Sequence, residues 1–143
     1  MSTVKQLLDG KGHGAFVVAP GASVFEAIRL MEKHGVGALL VMEGEKLAGI
    51  ISERDYARKI ILKGKASKET PVRDIMTRRV IYISDEETVE NCMALMTQKR
   101  IRHLPVLKEG RVDGVISIGD VVKAMISEKD LIIDQLARYI STG

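Results

Sequence analysis

A duplication constrains this chain more than any other feature. From residue 15 through residue 61, adding 65 to each position reproduces the sequence pattern without a gap. Ser23 returns as Thr88, Val24 as Val89, Ala27 as Cys92, Met31 as Met96, Val41 as Val106 and Gly49 as Gly114. Whatever the first half folds into, the second half must fold into as well. Two copies are too few for an open solenoid, which needs about three units to bury a continuous core. The halves are therefore expected to pair face to face as one closed body with internal pseudo-twofold symmetry.

Each copy reads strand, helix, strand, strand, helix, preceded by a short helix. Thr3 to Leu8 has Val4, Leu7 and Leu8 on one helical face, and the glycines at 10, 12 and 14 break it. Ala15 to Ala19 is an apolar run closed by Pro20-Gly21, which predicts a buried strand. Ser23 and Glu26 have the spacing of a capping box, opening a helix with Val24, Ala27, Ile28 and Met31 on one stripe and an end near Gly35. Gly37 to Met42 and Lys46 to Ile51 read as strands around a turn at Glu43-Gly44-Glu45, and Ser52 starts a helix through about Leu62. The polar, lysine-rich stretch Lys63 to Glu69 is a connector. Thr70 as N-cap and Pro71 in the first turn then open a second short helix with Val72, Ile75 and Met76 inward. Glu128 to Ile140 places Leu131, Ile132, Leu136, Tyr139 and Ile140 near one stripe, a terminal helix apolar enough to pack on something. The expected divisions are 1–64, 65–127 and a terminal helix over 128–143.

The bulk numbers narrow the function. A chain of 143 residues with 45% hydrophobic side chains folds as one domain or two small modules, and with 3% aromatics and no Trp its core is aliphatic. Lys and Arg exceed Asp and Glu by 22 to 19, interspersed along the chain, which suits a small anionic ligand better than nucleic acid. A single cysteine, Cys92, permits neither an internal disulfide nor a cysteine-based zinc cage. Its place on an apolar helix stripe reads as core. His13 and His34 have no partner at metal-ligand spacing, so no metal is expected. No apolar run is long enough to span a membrane and the N-terminus lacks a signal-peptide core, so a cytoplasmic protein is expected.

The chemistry concentrates in two stretches, Gly49-Ile50-Ile51-Ser52-Glu53-Arg54-Asp55 and Gly114-Val115-Ile116-Ser117-Ile118-Gly119-Asp120. Each is a short apolar strand that ends at a serine and turns into a helix, with an aspartate three residues on. Locally this is a helix cap, because Ser followed three residues later by an acid resembles a capping box. With a ligand it becomes more: the free N–H groups of a helix start attract an anion, and a carboxylate beside them accepts both hydroxyl protons of a ribose diol.

The gapless duplication, the two Gly-h-h-Ser-x-x-Asp stretches (h, hydrophobic) and Arg102-His103-Leu104-Pro105-Val106 together resemble the CBS-domain pair, or Bateman module, across nearly the whole chain. The resemblance implies an α+β fold of two β-α-β-β-α motifs that acts as a regulatory sensor for adenosine-containing ligands such as AMP, ADP, ATP, NAD or S-adenosylmethionine. It implies two clefts between the repeats. Ser52 and Asp55 would serve one and Ser117 and Asp120 the other, with Val17, Val18, Val80, Ile81 and Tyr82 lining the adenine pockets. Arg54, Arg102 and His103 are its phosphate candidates. Arg54 also reads as a surface charge in a helix pair. Pro105 cannot donate to a strand ladder, so it marks an edge or the wall of a cleft. Arg102-His103 aligns with Gly37-Ala38, so the basic pair exists in the second repeat alone and the two sites should differ in occupancy. No enzyme is implied. The expected partners are the nucleotide, a second copy joined through helices and an unidentified regulated protein; the rival class is a ligand-free structural dimerisation module.

Overall fold

The computed structural model describes residues 2–142, with side chains for residues 2–140. Helix α1 (Val4–Lys11) opens the chain. Two compact units follow a different partition from the sequence repeats: residues 14–81 form a first-repeat unit, and residues 1–13 join residues 82–143 in a second-repeat unit.

In the first-repeat unit, β1 (Val17–Val18), α2 (Val24–His34), β2 (Ala38–Glu43) and β3 (Lys46–Ser52) lead into α3 (Glu53–Tyr56), which widens into a π-helical turn over Ala57–Ile61. β1 is shorter than the apolar run suggests. β2 lies in the middle, parallel to β1 and antiparallel to β3. Its three consecutive buried residues, Leu39, Leu40 and Val41, replace simple alternation because both faces are covered. Val24, Ala27 and Met31 of α2 join Leu39, Val41, Ile51 and Ile60 in one core.

Local chemistry sets the ends. The Ser23 hydroxyl accepts the Glu26 N–H at 3.1 Å, and α2 stops at Gly35 with φ 63°, a left-handed conformation that suits glycine. The reciprocal arm of the expected capping box is absent. Arg29 takes both Glu26 carboxylate oxygens, at 2.9 and 2.8 Å, and holds that carboxyl below its ordinary range. Thr70 is not the N-cap expected of it either. Its hydroxyl donates to the Ala66 carbonyl at 2.8 Å, and extended Pro71 precedes a 3-10 turn at Val72–Asp74. Val72, Ile75 and Met76 are buried as predicted. Ile50 and Thr77 exchange backbone hydrogen bonds at 3.0 and 2.9 Å, drawing residues 76 and 77 against β3. Gly49 permits this approach, since a Cβ there would lie 2.7 Å from Met76 Sδ and 2.8 Å from the Thr77 carbonyl oxygen.

The second-repeat unit repeats this plan with β4 (Ile83–Ser84), α4 (Val89–Lys99), β5 (His103–Lys108) and β6 (Arg111–Ser117). Burial along β5 and β6 matches β2 and β3 residue for residue, and the bulge at Val41/Met42 recurs at Val106/Leu107. Leu40 donates its N–H to the Phe16 carbonyl at 3.1 Å, whereas the equivalent Pro105 has no N–H. The β4 ladder accordingly begins one residue later than the repeat predicts. Pro105 lies in the middle strand of its sheet and not on an edge strand, tolerated because β4 pairs only with Val106 and Leu107. Cys92 is fully buried in α4, and burial, aided by Glu87 and Glu90, pushes its thiol up to about 12.

α1 is an integral part of this unit. Thr3 and Gln6 cap it reciprocally. Val4 and Lys5 donate their N–H groups to the carbonyls of Glu87 and Asp85, at 2.8 and 2.9 Å, and Val89 donates to Ser2 at 2.9 Å. The same three links join Val72 to Ala22, Arg73 to Pro20 and Val24 to Thr70 in the other unit. Each short segment thus completes the repeat that does not follow it directly in the chain.

The terminal helix is not a separate element, because α5 runs unbroken over Ile118–Thr142. Gly64, at φ 67°, ends the corresponding stretch of the first repeat, and 65 positions later stands Lys129, a good helix former. Leu131, Ile132, Ile133 and Leu136 on its distal half are each at least half exposed.

Candidate functional site

The two motif aspartates sit in equivalent places with different surroundings. At the end of β3, the Ser52 N–H and hydroxyl donate to Asp55 Oδ2 at 2.9 and 3.1 Å, and the Asp55 N–H approaches Ser52 Oγ at 3.3 Å. Asp55 Oδ1 is paired with Lys59 Nζ at 3.0 Å, and the same ammonium donates to the Ile75 carbonyl at 2.8 Å. Both Asp55 oxygens are engaged, and its side chain is only 12% exposed.

At the end of β6, the Ser117 N–H donates to Asp120 Oδ2 at 2.8 Å and the Asp120 N–H donates to Ser117 Oγ at 3.1 Å. Lys11, from the last turn of α1, places its ammonium on the same Oδ2 and donates to the Val115 carbonyl at 2.7 Å. Asp120 Oδ1 accepts no hydrogen bond among the described residues, and the side chain is 25% exposed. Partial burial pushes this carboxyl up, but Lys11 and the Ser117 N–H outweigh it and hold the group below its ordinary value. The second site therefore presents an ionised carboxylate with one oxygen open.

His103 lies opposite Ser117 in the ladder and is half-buried. Burial, then the nearby Lys11 charge, lowers its pKa, with Asp120 opposing and Arg102 assisting. These influences hold the ring toward its neutral form, which offers one donor and one acceptor. Arg102 is exposed immediately before β5, and its carbonyl accepts the Ile118 N–H at 2.8 Å, tying the start of α5 to the strand. Arg54 is exposed on the first turn of α3.

The apolar candidates separate by burial. Val18 is packed in the first-repeat core, whereas its neighbour Val17 is half exposed. Val80 and Ile81, both half-buried, close the first-repeat unit; exposed Tyr82 resumes the second. Two residues absent from the sequence expectations, Lys11 and Lys59, touch the motif carboxylates directly. Lys59 stands four residues after Asp55 on one helix, a spacing visible in the sequence, but Lys11 is 109 positions from Asp120.

His13 also belongs to the second-repeat unit. Its Nε2 lies 2.8 Å from Asp9 Oδ1, and its Nδ1 lies 3.1 Å from both oxygens of Asp113. The two carboxylates face opposite ring nitrogens and do not converge on one point, and among the described residues no group of His, Cys, Asp or Glu is arranged to hold a metal. Hydrogen bonds donated by the ring to Asp9 and then Asp113 raise the imidazole pKa. A raised folded-state pKa contributes stability that is complete below the unfolded value of ~6.5 and lost as pH rises through the folded value. The melting-temperature difference between wild type and His13→Gln should therefore be largest near about pH 6 and shrink as pH rises through the raised folded-state value. A difference constant across that range in thermal scans would remove the imidazolium from the account.

The CBS domain family model matches residues 13–62 and 72–132. This chain belongs to the CBS-domain family and carries two copies of the domain. It is 42% identical over 151 residues to the CBS domain-containing protein CBSX3, mitochondrial, of Arabidopsis thaliana, covering 99% of this chain and 73% of that one. It superimposes on the crystal structure of the CBS domain NE2398 with a TM-score of 0.84 at 52% identity, covering 87% of this chain and 98% of the other. The CBS domain pair of protein MJ0100, solved with 5′-methylthioadenosine and S-adenosyl-L-methionine, matches with a TM-score of 0.79 at 26% identity over 90% of this chain and 98% of its own. Among the described residues no helix is long and apolar enough to cross a membrane.

Proposed function

We propose that this protein is a regulatory module, not an enzyme, that binds an adenosine-containing ligand (AMP, ADP, ATP or NAD) and signals occupancy to a partner protein. The observation that carries the reading is Asp120, an ionised carboxylate at a helix start with Oδ1 open to accept ribose hydroxyls. Arg102, exposed just before β5, supplies positive charge for a phosphate, and the exposed face of Tyr82 in the same unit suits an adenine ring. The MJ0100 pair, with two adenosine compounds bound, supports the ligand class. The uncovered apolar stripe of α5 supports a homodimer through helices, and the cytoplasmic placement expected from the sequence remains part of the proposal.

Ligand that binds only the folded state adds ~2.7 kcal/mol of apparent stability at a hundred times its Kd. Thermal scans with adenosine, AMP, ADP, ATP, NAD and S-adenosylmethionine should therefore show an upward shift of several degrees with at least one. Sedimentation of the same samples at micromolar concentration should give twice the 15.7 kDa chain mass. A dimer with no shift from any ligand would favour the second reading, a structural dimerisation module, for which the exposed Leu131, Ile132, Ile133 and Leu136 already argue.

A further inference from the structure

A carboxylate that accepts a ribose diol also repels the phosphate of the same nucleotide. In this chain an ammonium rests on each motif carboxylate. Lys59 bridges Asp55 and the Ile75 carbonyl, while Lys11 bridges Asp120 and the Val115 carbonyl. The two lysines are not equivalent in the repeat: position 59 corresponds to Ala124, and Lys11 comes from α1. One chain thus reaches the same arrangement, a lysine shared between the motif aspartate and a backbone carbonyl, from two unrelated positions. A helix cap does not require this, since Ser117 and Asp120 already satisfy one another.

We propose that Lys11 is a specificity-determining residue of the Asp120 site: it neutralises the carboxylate so that the site accepts a phosphorylated nucleoside in preference to the bare one. This rests on the reading of that site as a nucleotide site. Burial and Lys11 itself hold the His103 ring toward its neutral form, so the charge that rests on Asp120 is that of Lys11. Lys11 can supply this charge without leaving Asp120, because two of its three ammonium protons serve Asp120 and Val115 and the third is available. With Lys11 removed, Asp120 confronts the phosphate as an uncompensated negative charge. A unit charge about 8 Å away, at an effective dielectric constant of about 20 to 40, changes affinity roughly five- to thirtyfold.

The test is calorimetry of AMP and adenosine on wild type, Lys11→Met and Lys11→Arg, together with an NMR titration of the Asp120 carboxyl. Lys11→Met should lower the ratio of AMP to adenosine affinity roughly five- to thirtyfold, Lys11→Arg should restore most of it, and the Asp120 pKa should rise in the methionine variant alone. An equal loss of both ligands in Lys11→Met would overturn the proposal and reduce Lys11 to an anchor for α1, as would an unchanged ratio. If wild type binds neither ligand and the thermal scans show no shift with ADP, ATP, NAD or S-adenosylmethionine, the nucleotide reading fails and this proposal fails with it, an outcome distinct from wild-type binding with an unchanged ratio.

Discussion

Replacing Leu8 with alanine should destabilise the second-repeat unit by ~2–5 kcal/mol, the usual cost of truncating a fully buried leucine. Leu8 has no exposed surface, and neither has Val4 one helical turn earlier. From sequence order, a change at residue 8 would be expected to disturb the repeat beside it. The backbone links of α1 run instead to Asp85, Glu87 and Val89, and its lysine reaches Asp120. Native-state hydrogen exchange should show protection falling at the amides of β5 and β6 while β2 and β3 keep theirs. Protection lost mainly over residues 38–52 would assign α1 to the other unit.

The second large effect concerns ligand. Asp120→Ala should weaken AMP binding at the tighter site by roughly ten- to a hundredfold, because a hydrogen bond to a charged group contributes ~1.5–3 kcal/mol. Asp55→Ala should affect that site little and alter mainly the weaker one. The inequality comes from the surroundings of the two carboxylates: Asp55 has one oxygen on Ser52 and the other on Lys59, so an incoming diol must displace a partner, whereas Asp120 Oδ1 is open. Both substitutions also remove part of a helix cap, at ~1 kcal/mol of stability each, so binding and melting must be measured on the same samples. If both variants bind AMP as wild type does, the motif aspartates are caps and nothing more.

Features governed by near neighbours were legible in the sequence. Ser23 and Thr88 mark the starts of α2 and α4, the glycine at 35 marks an end, and the 65-residue offset carries β2 and β3 onto β5 and β6. The two serine-aspartate caps also follow from spacing alone. What the sequence concealed depends on competition or on distance. Glu26 has two possible partners within three residues, Ser23 and Arg29, and the guanidinium prevails. The proline at 105 reads as an edge residue or a cleft wall, and a place in the middle strand is admitted only by the shortness of β4. Lys59 shows itself by i,i+4 spacing, but nothing near Lys11 in the chain announces a carboxylate 109 residues away. Helix α5 passes the point where the first repeat stops, and Lys129, a helix former, stands there in place of Gly64.

The way the short segments are shared between repeats also orders events during synthesis. The first-repeat unit is one uninterrupted stretch, residues 14–81, so all its parts have been made once residue 81 has been added. The second-repeat unit joins residues 1–13 to residues 82–143, which are made on either side of that stretch. With 109 residues between Lys11 and Asp120, and translation at ~5–20 residues per second, Lys11 waits roughly 5–20 s for the carboxylate it will neutralise. Until Asp85 and Glu87 are made, α1 lacks the carbonyls its N–H groups will bond, and the Asp120 site is completed only after the other unit has been made.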